Sequence, residues 1–185
     1  LGIGFTDTNV KVGSTALDSL TTGTQNTAVG HNALTADTGG GNNTGVGYLA
    51  LLSNTTGSSN TAVGFAALDA SSTASDNTAV GAAALSANTT GASNTGVGRQ
   101  TLDANTTGSY NCALGHHALG ATTTTNNNTA VGYDALAANS NGERNTAIGA
   151  NSLRVGNTGY SNCTAVGEGS LESNTGNNNT AVGRN

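Results

Sequence analysis

One glycine sets the architecture of this chain. It closes a five-residue box of the form Asn-Thr-Ala-Val-Gly and falls at Gly13, Gly30, Gly47, Gly64, Gly81, Gly98, Gly115, Gly132, Gly149, Gly167 and Gly183. The steps are 17 residues eight times, then 18, then 16. Four residues after each of the first ten comes a leucine, from Leu17 and Leu34 through to Leu153 and Leu171. Between leucine and the next box lies a second turn sequence, as in Asn54-Thr55-Thr56-Gly57 and Asn105-Thr106-Thr107-Gly108. A fixed period of this kind marks a repeat architecture. Seventeen residues are too few for a helix-turn-helix unit, and Val, Thr and Gly stand where a helix wants Ala, Leu, Glu and Lys.

The unit fits one coil of an all-β parallel β-solenoid, a β-roll. Residues 9–185 form the solenoid, about ten coils of 17 residues. Residues 1–8 form an N-terminal cap or linking strand, because Leu1, Ile3 and Phe5 alternate as a strand does. Each coil is expected to hold two short strands, Asn-Thr-Ala-Val and the stretch around Ala-Leu. Glycine supplies turn conformations closed to other residues, and the Asn or Asp opening the second box makes an Asx-turn. Coils stack ~4.8 Å apart, and the Asn that opens each box (Asn26, Asn43, Asn60 and onward) forms a ladder along the stack.

Column composition assigns the faces. The fourth box position is always a bulky aliphatic, from Val12 and Val29 to Val182. The second is Thr except at Val10 and Cys112. These two share one side of a strand, and the aliphatic residues place that side inside, against leucine. The third position then faces out, yet after Lys11 it holds only Ala or Gly: Ala28, Gly45, Ala62, Ala79, Gly96, Ala113, Ala130 and Ala147 lead the series. An outer column of tiny side chains predicts an inter-chain contact. Cys112 is expected to be a buried thiol and Cys163 to replace a ladder Asn. The two lie ~14 Å apart by rung spacing, beyond disulfide reach.

The position after each box glycine varies most and is the candidate recognition column: His31, Tyr48, Phe65, Arg99, His116 and Tyr133 carry its larger side chains. Exposed aromatics mark binding surfaces. No catalytic constellation, metal-ligand cluster, phosphate loop or cofactor motif is legible, so no enzymatic activity and no cofactor are expected. A net charge of −5 has the wrong sign for nucleic acid, and no apolar run is long enough for membrane insertion as a helix.

The alternation of Asn-Thr-Ala-Val-Gly-x-x-Ala-Leu with Asn-Thr-Thr-Gly resembles repeat regions of tail-fibre and spike-like proteins of bacteriophages and bacteria. Asn145-Thr146-Ala147-Ile148-Gly149 is also similar to the Ser-Val-Ala-Ile-Gly motif of trimeric autotransporter adhesin heads. The resemblance implies a left-handed β-roll associated as a homotrimer, in an extracellular, cell-surface or virion setting. It implies a structural or adhesive role, with a host-surface glycan or protein as partner. Two other readings stand beside it: a subunit stacking end to end into an extracellular filament, and an ice-binding β-roll like those of grasses. The last requires outward threonine columns, whereas the box threonines are expected to point inward.

Overall fold

The computed structural model describes residues 3–6, 8–155 and 159–185. It is an all-β solenoid built on one twelve-stranded sheet whose spatial order follows the chain. The strands are β1 (Ile3–Thr6), β2 (Asn9–Val12), β3 (Thr27–Val29), β4 (Thr44–Val46), β5 (Thr61–Val63), β6 (Thr78–Val80), β7 (Thr95–Val97), β8 (Cys112–Leu114), β9 (Thr129–Val131), β10 (Thr146–Ile148), β11 (Thr164–Val166) and β12 (Thr180–Val182). From β2 to β12 every pairing is parallel, and each box position meets its equivalent one coil on. Thr27, Ala28 and Val29 lie against Thr44, Gly45 and Val46, and the 18-residue step keeps the same register, Thr146 against Thr164. β1 runs antiparallel to β2, with Ile3 opposite Val12 and Thr6 opposite Asn9. The segment expected as a cap or linking strand therefore pairs along the first coil. Leu1 lies outside the described residues.

Among the described residues, each coil from β3 onward has one strand of three residues where two strands were expected. The Ala-Leu stretch is a run of turns, because every leucine at this position takes a left-handed backbone, φ 52° at Leu34 and 53° at Leu51. That region is uncommon for a side chain of this size, and one such residue ends an extended segment. Rung-to-rung hydrogen bonding continues through it: Leu34 N–H donates to Ala50 O at 3.0 Å and Leu51 N–H to Ala67 O at 3.0 Å. The box glycine turns the chain away from the strand. At Gly30, φ is 137°, and a Cβ there would lie 2.3 Å from the Gly47 carbonyl oxygen. Conformation and space both demand glycine.

The strand faces are reversed from the expectation. Ala28, Ala62, Ala79, Ala113, Ala130 and Ala147 are fully buried within a single chain, and Gly45 and Gly96 are buried beside them. The Ala/Gly column is the interior wall, so these eight residues form no inter-chain contact. The box Thr and Val residues face outward, and Val29 is only half-buried. The reason is the width of the coil. Leucine from the opposite side fills the lumen, with Leu34 through Leu153 fully buried. A Cβ built on Gly45 would lie 3.4 Å from Leu34 Cγ and Cδ1. That is ordinary packing distance, so the wall facing leucine has space for a methyl group and nothing larger.

The asparagine ladder forms as expected, with the amides tied mainly to backbone. Asn26 Oδ1 accepts from Asn43 N–H at 2.9 Å, and Asn26 Nδ2 donates to Gly40 O at 2.8 Å. The pattern repeats at Asn60, where Oδ1 accepts from Asn77 N–H at 3.1 Å. Buried amide, carbonyl and N–H are thereby satisfied together, as burial requires. The second box closes by the expected Asx-type bonds: Gly142 N–H donates to Asn139 Oδ1 at 2.9 Å, and Asn139 Nδ2 donates to Gly142 O at 2.9 Å.

Candidate interaction surfaces

Two surfaces present ordered side chains to the outside. The first is the outer face of the sheet. Because the register is fixed, its side chains form two parallel columns separated by the inward Ala/Gly column. One column is Thr27, Thr44, Thr61, Thr78, Thr95, Cys112, Thr129, Thr146, Thr164 and Thr180. The other is Val29, Val46, Val63, Val80, Val97, Leu114, Val131, Ile148, Val166 and Val182. Val63, Leu114 and Ile148 are exposed to 36%, 48% and 41%. From β3 to β12 no strand residue carries a charge. The sequence held the signal for this face, an aliphatic column paired with threonine. The expectation placed it inside because bulky aliphatics are usually buried, a rule that runs in one direction only.

The second surface is the corner after each box glycine, and here the structure brings side chains of the candidate recognition column into contact. His31 stacks on Tyr48 with ring centroids 5.7 Å apart and planes inclined 24°, and Tyr48 stacks on Phe65 at 5.7 Å and 16°. Five coils from His31, His116 stacks on Tyr133 at 5.6 Å and 16°. Arg99 lies one coil before His116, with Nη1 3.4 Å from Nε2. The rings follow one another because the backbone repeats at rung spacing with the same side-chain direction. Offset stacking at these separations is the favoured aromatic geometry.

Beside this corner runs a ladder of ionisable side chains that sequence reasoning missed. His117 Nδ1 lies 3.0 Å from Asp134 Oδ1, Asp134 Oδ2 3.9 Å from Arg154 Nη1, and Arg154 Nε 3.2 Å from Glu172 Oε1. The signal was spacing: 117 to 134 is one 17-residue coil and 154 to 172 the 18-residue coil. Burial pushes the Asp103 carboxyl, one coil before this ladder, upward from its ordinary pKa, with the nearby His117 and His116 opposing that rise.

The cysteines divide by column. Cys112 is exposed on the outer sheet face, a correction to the expected buried thiol that follows directly from the reversed faces. Cys163 is buried in the ladder, where its backbone N–H donates to Asn145 Oδ1 at 2.9 Å and its Sγ lies 3.3 Å from Gly176 O. The thiol thus stands where other coils carry the amide.

No family model, curated protein or solved structure matches this chain.

Proposed function

We propose that this chain is a rigid, non-enzymatic segment of an extracellular or virion fibre that associates side by side with copies of itself through the outer Thr/Val face of its sheet. The observation that supports this reading is the outward aliphatic column, one Val, Leu or Ile in every coil from Val29 to Val182. Ten rungs give it a length of ~45 Å. A continuous uncharged strip with aliphatic side chains at every rung is a hydrophobic surface of the kind that marks association.

A second copy is the occupant that fits it. A parallel copy carries the same rung period by construction, so every Val meets an equivalent residue without loss of register. Three such faces turned toward a common axis make a closed homotrimer. The narrow coil interior, lined by Ala and Gly, leaves the larger aliphatics to be buried between chains.

Sedimentation of the purified chain tests this. The expected species is a trimer, and Val63→Lys/Val97→Lys/Val131→Lys is expected to dissociate it while leaving the circular dichroism spectrum unchanged. A wild-type chain that sediments as a folded monomer at all concentrations overturns the reading.

The outward threonine column favours a second reading. Thr hydroxyls and methyls on a parallel sheet at fixed rung spacing form an array that matches a crystalline lattice such as ice. The condition that counted against ice binding, inward box threonines, is reversed in this fold. Thermal hysteresis in a monomeric sample separates the two readings, since self-association and ice would compete for one face.

A further inference from the structure

We infer that the corner column carries two binding notches for pyranose rings of a glycan chain, one floored by Ala82 and one by Ala150. The two aromatic stacks end in the same way. His31, Tyr48 and Phe65 occupy successive coils, and the next coil holds Ala82. His116 and Tyr133 occupy successive coils, and the next holds Ala150. Tyr48, with a ring on either side, is 48% exposed, whereas the terminal rings Phe65 and Tyr133 are 56% and 55% exposed. Each terminal ring has a stacked neighbour on the preceding coil and only a methyl group at the equivalent place on the following one.

The far wall of each notch is polar. Arg99 stands one coil beyond Ala82, and Glu168 one coil beyond Ala150, held by Arg184 with Nε 3.2 Å from Oε2. Both walls are exposed, and both alanines are half-buried between taller neighbours. The residues that carry the two walls of each notch stand two rungs apart, ~9.6 Å along the stack. A flat guest touching both walls at ~3.5–4.0 Å per contact needs only ~7–8 Å. The additional width suits a puckered sugar ring, which offers its C–H face to the aromatic wall and its hydroxyls to the guanidinium or carboxylate. The two notches lie four coils apart, ~19 Å along the rod, so one extended oligosaccharide can occupy both.

This site lies off the sheet face and does not depend on the self-association reading. The test uses the full chain with cellohexaose, chitohexaose, mannohexaose and hexagalacturonic acid as probes, followed by saturation-transfer NMR and calorimetry. At least one probe is expected to bind, with saturation concentrated on pyranose C–H protons. Ala82→Phe or Ala150→Phe fills one notch with the side chain that other coils already stack, and is expected to weaken binding about tenfold or more. The double variant is expected to abolish it, and Ala82→Ser to retain it. Absence of binding by all four probes at millimolar concentration overturns the inference, as does binding that survives in the double variant. Sedimentation of the same samples keeps this outcome separate from that of the fibre reading, because neither alanine lies on the Thr/Val face.

Discussion

Gly96 and Thr101 are fitted to each other: a Cβ on Gly96 would lie 2.9 Å from Thr101 Oγ1. Coils with alanine at the first place carry a small side chain at the second, as Ala79 does with Ala84 and Ala113 with Ala118. In these coils the lumen space is shared between the strand wall and the residue before leucine.

That sharing predicts a coupled pair. Gly96→Ala alone should destabilise by about 1–3 kcal/mol through overpacking. Thr101→Ala alone should cost about 0.5–1.5 kcal/mol, because it removes the hydroxyl that donates to Gly98 O at 3.1 Å. The double variant reproduces the pair found in neighbouring coils and should lie close to wild type. A double-mutant cycle by denaturant unfolding reads the coupling, and additive costs would refute it. Gly45→Ala is the contrast. Its Cβ would meet Leu34 at ordinary packing distance, so it should be neutral or stabilising by about 0.4–1 kcal/mol.

Reversal of the strand faces makes adjacent residues respond in opposite ways. Ala79→Leu forces bulk into a fully buried wall and should lower stability by about 1–3 kcal/mol or more. Val80→Thr, on the outer face, should change the stability of a single chain by no more than about 0.5 kcal/mol and act on association instead. Thermal unfolding paired with sedimentation distinguishes these effects. Equal loss of fold in both variants would restore the inward placement of valine.

Asp37 makes stability depend on pH. It is fully buried in the column where Asn54, Asn88, Asn105 and Asn139 stand in other coils, and among the described residues its Oδ2 has no partner where Asn139 places a donating amide. Burial raises its pKa from 3.8 to about 6, against the hydrogen bonds from Gly40 and Gly39. The folded chain thus holds a proton that the unfolded chain releases, so stability falls as pH rises from about 4 to about 6 and stays lower above that. Burial pushes Asp69 and Asp103 in the same direction. Asp37→Asn should raise the melting temperature at pH 7.5 and reduce the slope between pH 4 and 6. A variant that melts like wild type across this range would contradict the assignment.

The two thiols should differ in reactivity under native conditions. Exposed Cys112 should react with a water-soluble disulfide reagent in the folded chain, while buried Cys163 should react only on unfolding. Mass spectrometry after partial labelling identifies the modified residue. Protection of Cys112 that disappears on dilution would add evidence that its face is covered by another chain.

The 17-residue period alone determined the stack of rungs, the parallel register, the asparagine ladder, the leucine interior and the glycine turns. Each of these depends on identical residues meeting one coil apart, which periodicity fixes. The corner stacks were legible as a column of variable bulky residues, although ring-on-ring contact required coordinates. Only the tertiary structure decided which side of the three-residue strand faces inward. A strand this short has too little alternation to show its buried side, and from β3 onward neither its inward nor its outward positions carry a charge. The choice was made across the coil, where from Leu34 onward the left-handed leucines project into a lumen so narrow that Ala or Gly stands opposite, and the larger valines are displaced to the outside.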